Sequence, residues 1–214
     1  MTATTPSKER KSAHSELVLE RRQEILQAAR RCFSLYGFHQ TTLRQIANEL
    51  GMSVGHIYNY FRSKEEIIEQ MVKMQTKQFV EMITQDCGTA DESSIRAHME
   101  KVVDAFLDPD SAYLAISFMN EALTNPRIYD LTIWAVREVR EQILNMCNKS
   151  GNTVPSREVM EIRVIYWRAV LDGLRMSVLF NPHIDREVLK QEAVDRFMQM
   201  YRYDHKLMTE RQEA

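Results

Sequence analysis

The sequence has no apolar run approaching the roughly 18–20 residues that a membrane span needs, and its polar start from Thr2 to Lys11 lacks the apolar stretch of a secretory signal. A cytoplasmic protein with no membrane association is the expectation. Cysteine is scarce. Cys32, Cys87 and Cys147 stand far apart, in odd number, without the paired spacing of a zinc site or a redox dithiol. They read as reduced thiols that pack as small hydrophobes. Catalytic signatures are missing as well: there is no glycine-rich phosphate loop and no nucleophile elbow, and His14, His39, His56, His98, His183 and His205 form no pair at metal spacing. Glu100 and Asp104, one helical turn apart, read as a solvated face rather than an acid–base pair. Neither an enzyme, nor a metal site, nor a bound cofactor is expected. No stretch sustains period-two alternation, which excludes a substantial sheet, and no internal repeat is evident.

What is present is an ordinary globular balance, 44% hydrophobic and 27% charged residues over 214 positions, enough for one large domain or a small one joined to a larger. The net charge of −2 hides an asymmetry. Residues 1–64 hold ten Lys/Arg against five Asp/Glu, net +5; residues 65–214 hold eighteen against twenty-five, net −7. Positive charge gathered in the first third suits a phosphate-binding module, because each neutralised phosphate releases counterions. Residues 1–15, polar and carrying Lys8, Arg10 and Lys11, read as a flexible basic arm.

From about Glu20 the pattern is helical, with Ile25, Leu26, Ala29, Cys32, Phe33 and Tyr36 on one face and Gly37 as the stop. Thr41 or Thr42 caps the next helix, and Gln45 completes a capping box with Thr42. Leu43, Ile46, Ala47 and Leu50 form its buried stripe, and Gly51 ends it in the left-handed conformation. Ser53 then caps a very short helix, about Val54 to Phe61, which buries Ile57 and Phe61. A fourth helix opens at Ser63 with Glu66 at its third position. Asp108-Pro109, Asn125-Pro126, the loop 148–155 and Asn181-Pro182 punctuate five more helices, near 92–107, 110–124, 126–147, 156–180 and 185–203.

Two short helices joined through Gly51, the second capped by serine, have the form of a helix-turn-helix. Ala47 lets them cross closely. Gly55 allows a backbone to approach a phosphate, while Ser53, His56, Tyr58 and Asn59 reach toward bases or backbone; Tyr60 and Lys64 suit phosphates. A generic helical corner with its aromatics in the core would carry the same pattern.

The run TTLRQIANELGMSVGHIYNYFRSKEEII, residues 41–68, resembles the signature of the TetR family of transcriptional regulators, as does the upstream helix ending in Tyr36-Gly37-Phe38. The resemblance covers about residues 20–70. It implies an all-α fold of about nine helices: a three-helix DNA-binding domain with the helix-turn-helix, over residues 16–64, and a larger helical domain for ligand binding and dimerisation, over 65–214. It places Thr42, Ser53, Val54, Gly55, Tyr58, Asn59, Tyr60 and Lys64 on operator DNA. Asn59 stands where members often carry an aromatic residue, which leaves base preference open. The stretch Ala169 to Leu174 resembles the penultimate helix of the family, which pairs with the last in a dimer bundle. Tyr166, Val170, Gly173, Leu174, Ser177, Val188, Phe197 and Tyr201 are the interface candidates, with intrachain core as the competing reading.

Of the twelve methionines after Met1, eleven lie beyond residue 65. Methionine and aromatic residues line adaptable apolar cavities and also fill ordinary cores. The resemblance implies an effector pocket, for which Phe106, Tyr113, Phe118, Glu121, Trp134, Arg137, Trp167 and Asp172 are candidates, Asn120 and Arg168 being further polar groups on the same helices. The expectation is a homodimeric repressor released from a double-stranded, near-palindromic operator by a small-molecule effector of unspecified charge. A DNA binder that acts through a protein partner without an effector is the alternative, and a helical scaffold that never meets DNA is a third reading.

Overall fold

In the computed structural model the backbone is described over residues 6–85, 91–149 and 157–210, and side chains over 15–85, 91–146 and 157–203. The thiol reading of Cys87 and Cys147 and the side chains of Lys8, Arg10 and Lys11 lie outside the described residues. Among these residues the chain is all-α, in nine helices without a strand: α1 Pro6–Tyr36, α2 Leu43–Glu49, α3 Val54–Tyr58, α4 Lys64–Thr84, α5 Glu92–Leu107, α6 Pro109–Thr124, α7 Pro126–Lys149, α8 Arg157–Phe180 and α9 Arg186–Glu210.

The start of α1 differs from the sequence reading, which assigns residues 1–15 to a flexible arm and begins the helix near Glu20. The backbone is already helical at Pro6. Proline is compatible with a first helical position, whose N–H has no partner, and Lys8 to Lys11 are strong helix formers, so nothing local stops the helix.

Contacts divide the chain into two units, residues 1–73 with 117–131 and residues 74–116 with 132–214. Cutting the chain at residue 64 therefore makes the first unit too small. Ile67, Ile68 and Met71 of α4 are fully buried there, and Phe118 sits with its ring 5.6 Å from Phe38. Arg127 reaches Glu69 at 2.7 Å, and Ile128 is buried. Helical periodicity identifies an apolar stripe but not the element that covers it.

The first unit is built around Ile25, Ala28, Ala29, Phe33, Ile46, Ala47, Ile57 and Phe61, all essentially inaccessible to solvent. Phe33 and Phe38 stack at 4.4 Å, and Cys32 is a buried free thiol whose pKa burial pushes up, so it behaves as a hydrophobe. In the second unit α5 packs against α8 and α9. Val102, Val103, Phe106 and Leu107 meet Leu171, Val178, Val194 and Met198, with Phe79, Met82 and Met99 around them. Ion pairs Arg96–Asp195, Arg202–Glu92 and Lys190–Asp104 lace α5 to α9.

Candidate DNA-binding site

The helix-turn-helix is fixed by local chemistry that the sequence announces. Thr42, with extended backbone, caps α2: its hydroxyl accepts from the Gln45 N–H at 3.2 Å, and the Gln45 side chain accepts from the Thr42 N–H at 2.7 Å. Thr41, the other cap candidate, is buried, its hydroxyl 2.7 Å from the Gly37 carbonyl and 3.1 Å from that of Cys32. Gly51 takes φ +64°, a left-handed conformation that costs a residue with a Cβ roughly 1–2 kcal/mol. Ser53 caps α3 by accepting from the His56 N–H at 3.2 Å. Ala47 is buried where α2 and α3 meet, as close crossing requires.

The helical hydrogen bonds continue past Tyr58 to Tyr60 and Phe61, so one short rod carries the candidate reading surface. Ile57 and Phe61 face inward, while Ser53, Gly55, His56, Tyr58 and Asn59 face solvent, Tyr58 being 55% exposed. Thr42 at the start of α2 is exposed too, and Val54 and Tyr60 are half-buried, the Tyr60 ring standing edge-on to His56 at 5.4 Å. A Cβ added at Gly55 would meet only the Ser53 Oγ, at 3.8 Å. The fold therefore gives no packing reason for glycine at this position.

Two cations that the charge asymmetry counts toward DNA are spent inside the unit. The Lys64 ammonium donates to the carbonyls of Phe38 at 2.9 Å and Thr41 at 3.0 Å, lies 3.4 Å from that of His39, and stands 5.5 Å from the Phe38 ring. It staples the start of α4 to the α1–α2 turn. Arg22 donates to the Tyr60 carbonyl and lies 4.3 Å over the Phe61 ring, 3.8 Å from Glu66, holding the end of the reading rod. The exposed cations left without a described carboxylate partner include Arg44, on the first turn of α2, and Arg62. Sequence reasoning passed over Arg44. Its signal was an arginine two places after a capping threonine, beside the stripe of half-buried Leu43 and buried Ile46 and Ala47.

The same stretch carries the family likeness. The description "Bacterial regulatory proteins, tetR family" matches residues 25–71. The regulator BetI of Yersinia pestis (strain Pestoides F) is 24% identical, the match covering 78% of this chain and 85% of that one. The repressor AcnR of Corynebacterium diphtheriae is 25% identical, over 72% and 78%. Residues 25–71 are therefore similar to the DNA-binding segment of TetR-family regulators. Its fold agrees with the crystal structure of a transcriptional regulator from Saccharomonospora viridis in complex with choline: TM-score 0.65, 24% identity, 82% of this chain and 94% of that one. Members of this family regulate transcription through DNA and are not enzymes.

The second unit holds most of the other candidates. Of the interface set, Tyr166 (57% exposed), Gly173 and Val188 face solvent. Val170 and Ser177 are half-buried, the Ser177 hydroxyl bonding its own helix at Gly173, while Leu174, Phe197 and Tyr201 pack against the unit's own core. The sequence reading missed Val159, Ile162 (66% exposed), Met176 and Phe180 (74% exposed). With Tyr166, Ala169 and Gly173 they recur at three- and four-residue steps along α8, an apolar seam open to solvent.

Among the described residues the eight effector candidates are not all brought together: Asp172 and Phe106 meet the same two arginines of α8 and Trp167 packs against Phe197 beside that core, while the other five do not join them. Phe106 is core, Tyr113, Trp134 and Arg137 are exposed, and Trp167 packs edge-on against Phe197 at 4.9 Å. Phe118 belongs to the first unit, as does Glu121, which accepts from Asn125. Asp172 pairs with Arg168 at 2.8 Å and Arg175 at 3.4 Å. A cleft of about 340 Å³ lies instead in the first unit, between Arg62, Ser63, Glu66, Glu69, Gln70 and Arg127, and a groove of about 390 Å³ follows α8 at Phe180 to Ile184. Neither includes any of the eight.

Proposed function

We propose that this regulator is a homodimeric repressor that inserts α3 and its continuation to Phe61 into successive major grooves of a near-palindromic operator and is released by a small-molecule effector. The observation that carries the DNA-reading part is Gly55: an exposed glycine in a capped helix, with only the Ser53 Oγ near where its side chain would be, suits a phosphate backbone approaching from outside. Around it Ser53, His56, Tyr58 and Asn59 supply donors and acceptors for base edges, Val54 and Tyr60 flank them, and Thr42 and Arg44 reach phosphates from α2. Lys64 acts by holding the turn and not by neutralising a phosphate, which revises its expected role.

The seam from Val159 to Phe180 supports dimerisation, since a monomer gains nothing by presenting so much apolar surface to water. Tyr166, Gly173 and Val188 join it, and Gly173, where an added Cβ would meet nothing within 4 Å, leaves room for a second helix. Effector release follows the usual linkage: a ligand that binds better to the conformation with the wrong reading-helix spacing lowers operator affinity by that preference. A second reading, a DNA binder acting through a protein partner without an effector, is favoured by the division of the eight candidates between the two units.

Selecting bound duplexes from a random pool tests the proposal. The expected outcome is two inverted half-sites whose centres lie one helical turn, roughly 34–36 Å, or a multiple of it apart. A single asymmetric half-site would refute the dimer, and recovery of no sequence at all would refute operator reading.

A further inference from the structure

Resting on the effector reading above, we propose that the effector is an oxyanion carried on an apolar body, a carboxylate or a phosphate, docked on Arg175 and extending along α8 toward Trp167. Arg175 projects from α8 onto the core of the helical unit, its guanidinium 4.2 Å over the Phe106 ring and its side chain 13% exposed. Arg168 approaches the same ring at 5.7 Å. Asp172 lies between the two arginines and engages both. Two guanidiniums against one carboxylate leave a net positive centre pressed on an aromatic ring.

Arg175 is not satisfied there. Asp172 faces its Nη1, but its Nε is buried with no hydrogen-bond partner. Nε forms half of the edge with which a guanidinium grips a planar oxyanion in two parallel bonds. Burial lowers the pKa of this arginine and Arg168 adds to the shift, while Asp172 opposes it. Leaving a buried donor unmet costs free energy, so such a group calls for a partner outside the chain.

The pattern of unmet groups has one sign. Among the described residues the buried side-chain polar atoms without a partner are the Arg140 Nε, the Trp167 Nε1 and the Arg175 Nε, all of them donors. Of these, the Arg175 and Trp167 donors lie on one helix, and a ligand that met them would bring acceptors. Trp167 and Arg175 are eight residues apart on α8 with buried Leu171 midway, so all three share one stripe and their backbone positions lie about 12 Å apart along the axis. Between and beside them are apolar groups: Phe106, Leu171 and, in the same core, the adaptable Met82 and Met99. An anionic head at Arg175, an apolar body and a weaker acceptor near Trp167 fit that order. A quaternary ammonium or a neutral alcohol does not.

Calorimetric titration with four probes of one apolar body tests this: octanoate, octyl phosphate, octanol and octyltrimethylammonium. Octanoate or octyl phosphate should bind at least about tenfold tighter than octanol, the expected gain of a charge-assisted bond, with the ammonium weakest. Which of the two anions is tighter decides between carboxylate and phosphate. Arg175→Met should erase the preference for the anions, Arg175→Lys should keep part of it, and Trp167→Phe should leave the preference standing; helical circular dichroism checks that each folds. Equal binding of octanoate and octanol, tighter binding of the ammonium, binding of none of the four, or an Arg175→Met protein that keeps the preference would overturn the assignment. Operator affinity measured beside each titration separates the two readings. An alcohol or ammonium that binds and loosens the operator would leave the effector reading standing and the oxyanion wrong. An anion that binds through Arg175 without changing operator affinity would leave the site standing and the release mechanism wrong.

Discussion

In the first unit, Arg22 and Lys64 give their hydrogens to the carbonyls of Tyr60, Phe38 and Thr41 and rest against the rings of Phe61 and Phe38, whereas in the second unit Arg175 rests against Phe106 with one donor unmet. Both use aromatic rings to seat a cation. The difference lies in what completes the hydrogen bonding. The first unit closes its own network and leaves its outward groups, on α3 and at Arg44, free for a partner, so it is formed in advance of binding. The second unit leaves a buried donor open, so its lowest-energy state is expected to need something added.

The first way to break this comparison is to attack the seam. Ile162→Glu places a charge in the middle of the α8 stripe and should weaken dimerisation about a hundredfold, a fall readable by sedimentation velocity as protein is diluted. A variant that remains as dimeric as the parent would take α8 out of the interface. Next in size, Lys64→Ala strips the α1–α2 turn of its staple and should cost about 2 kcal/mol of stability in urea unfolding. An unchanged midpoint with a shallower salt dependence of DNA binding would return Lys64 to the phosphate. Arg44→Ala should do the converse: similar stability, weaker binding to every duplex, and a slope of log K against log salt reduced by about 1.

The smallest effect concerns acid. Glu69 is held below the usual carboxylate range by hydrogen bonds from Lys73, on its own helix, and from Arg127, which ties α4 to the start of α7. A depressed folded pKa means that the contribution is fully present above the ordinary value of 4.5 and is lost as pH falls through the lower folded value. Thermal unfolding of the parent and of Glu69→Gln should therefore differ by a degree or so at neutral pH and converge in acid. Because the pair is largely solvated, a wide gap at neutral pH would mean that the tie carries more than a surface bridge.

The DNA-binding unit was legible in the sequence to the extent that its structure is local. Thr42 with Gln45, Gly51 and Ser53 each act within three or four residues of themselves, and each takes the role its spacing predicts. The carbonyls that Lys64 meets were not legible because they lie 23–26 residues upstream, and no pattern in the chain distinguishes a lysine aimed at backbone from one aimed at phosphate. Residues 117–131 were placed in the wrong unit for the same reason, since Phe118 meets Phe38 across eighty positions. Along α8 the sequence offered Tyr166 and Gly173 but not Ile162 or Phe180. An apolar stripe looks identical in one dimension whether its own core or another surface covers it. Which of the effector candidates converge was not legible, because aromatic and methionine content does not say which side chains meet: Asp172 shares the arginines that rest on Phe106, whereas Phe118 packs on Phe38 in the first unit.

Gly55 offers the most direct measurement. Replacing it by alanine fills space that is empty in the isolated chain and improves helix propensity, so Gly55→Ala should unfold at the same temperature as the parent or slightly above it. If α3 presents its backbone to DNA, the added methyl meets the duplex, and affinity for the selected operator should fall at least about tenfold, as expected of a polar contact pushed out of reach. Unchanged operator affinity in a protein of unchanged stability would contradict the account and remove α3 from the reading surface.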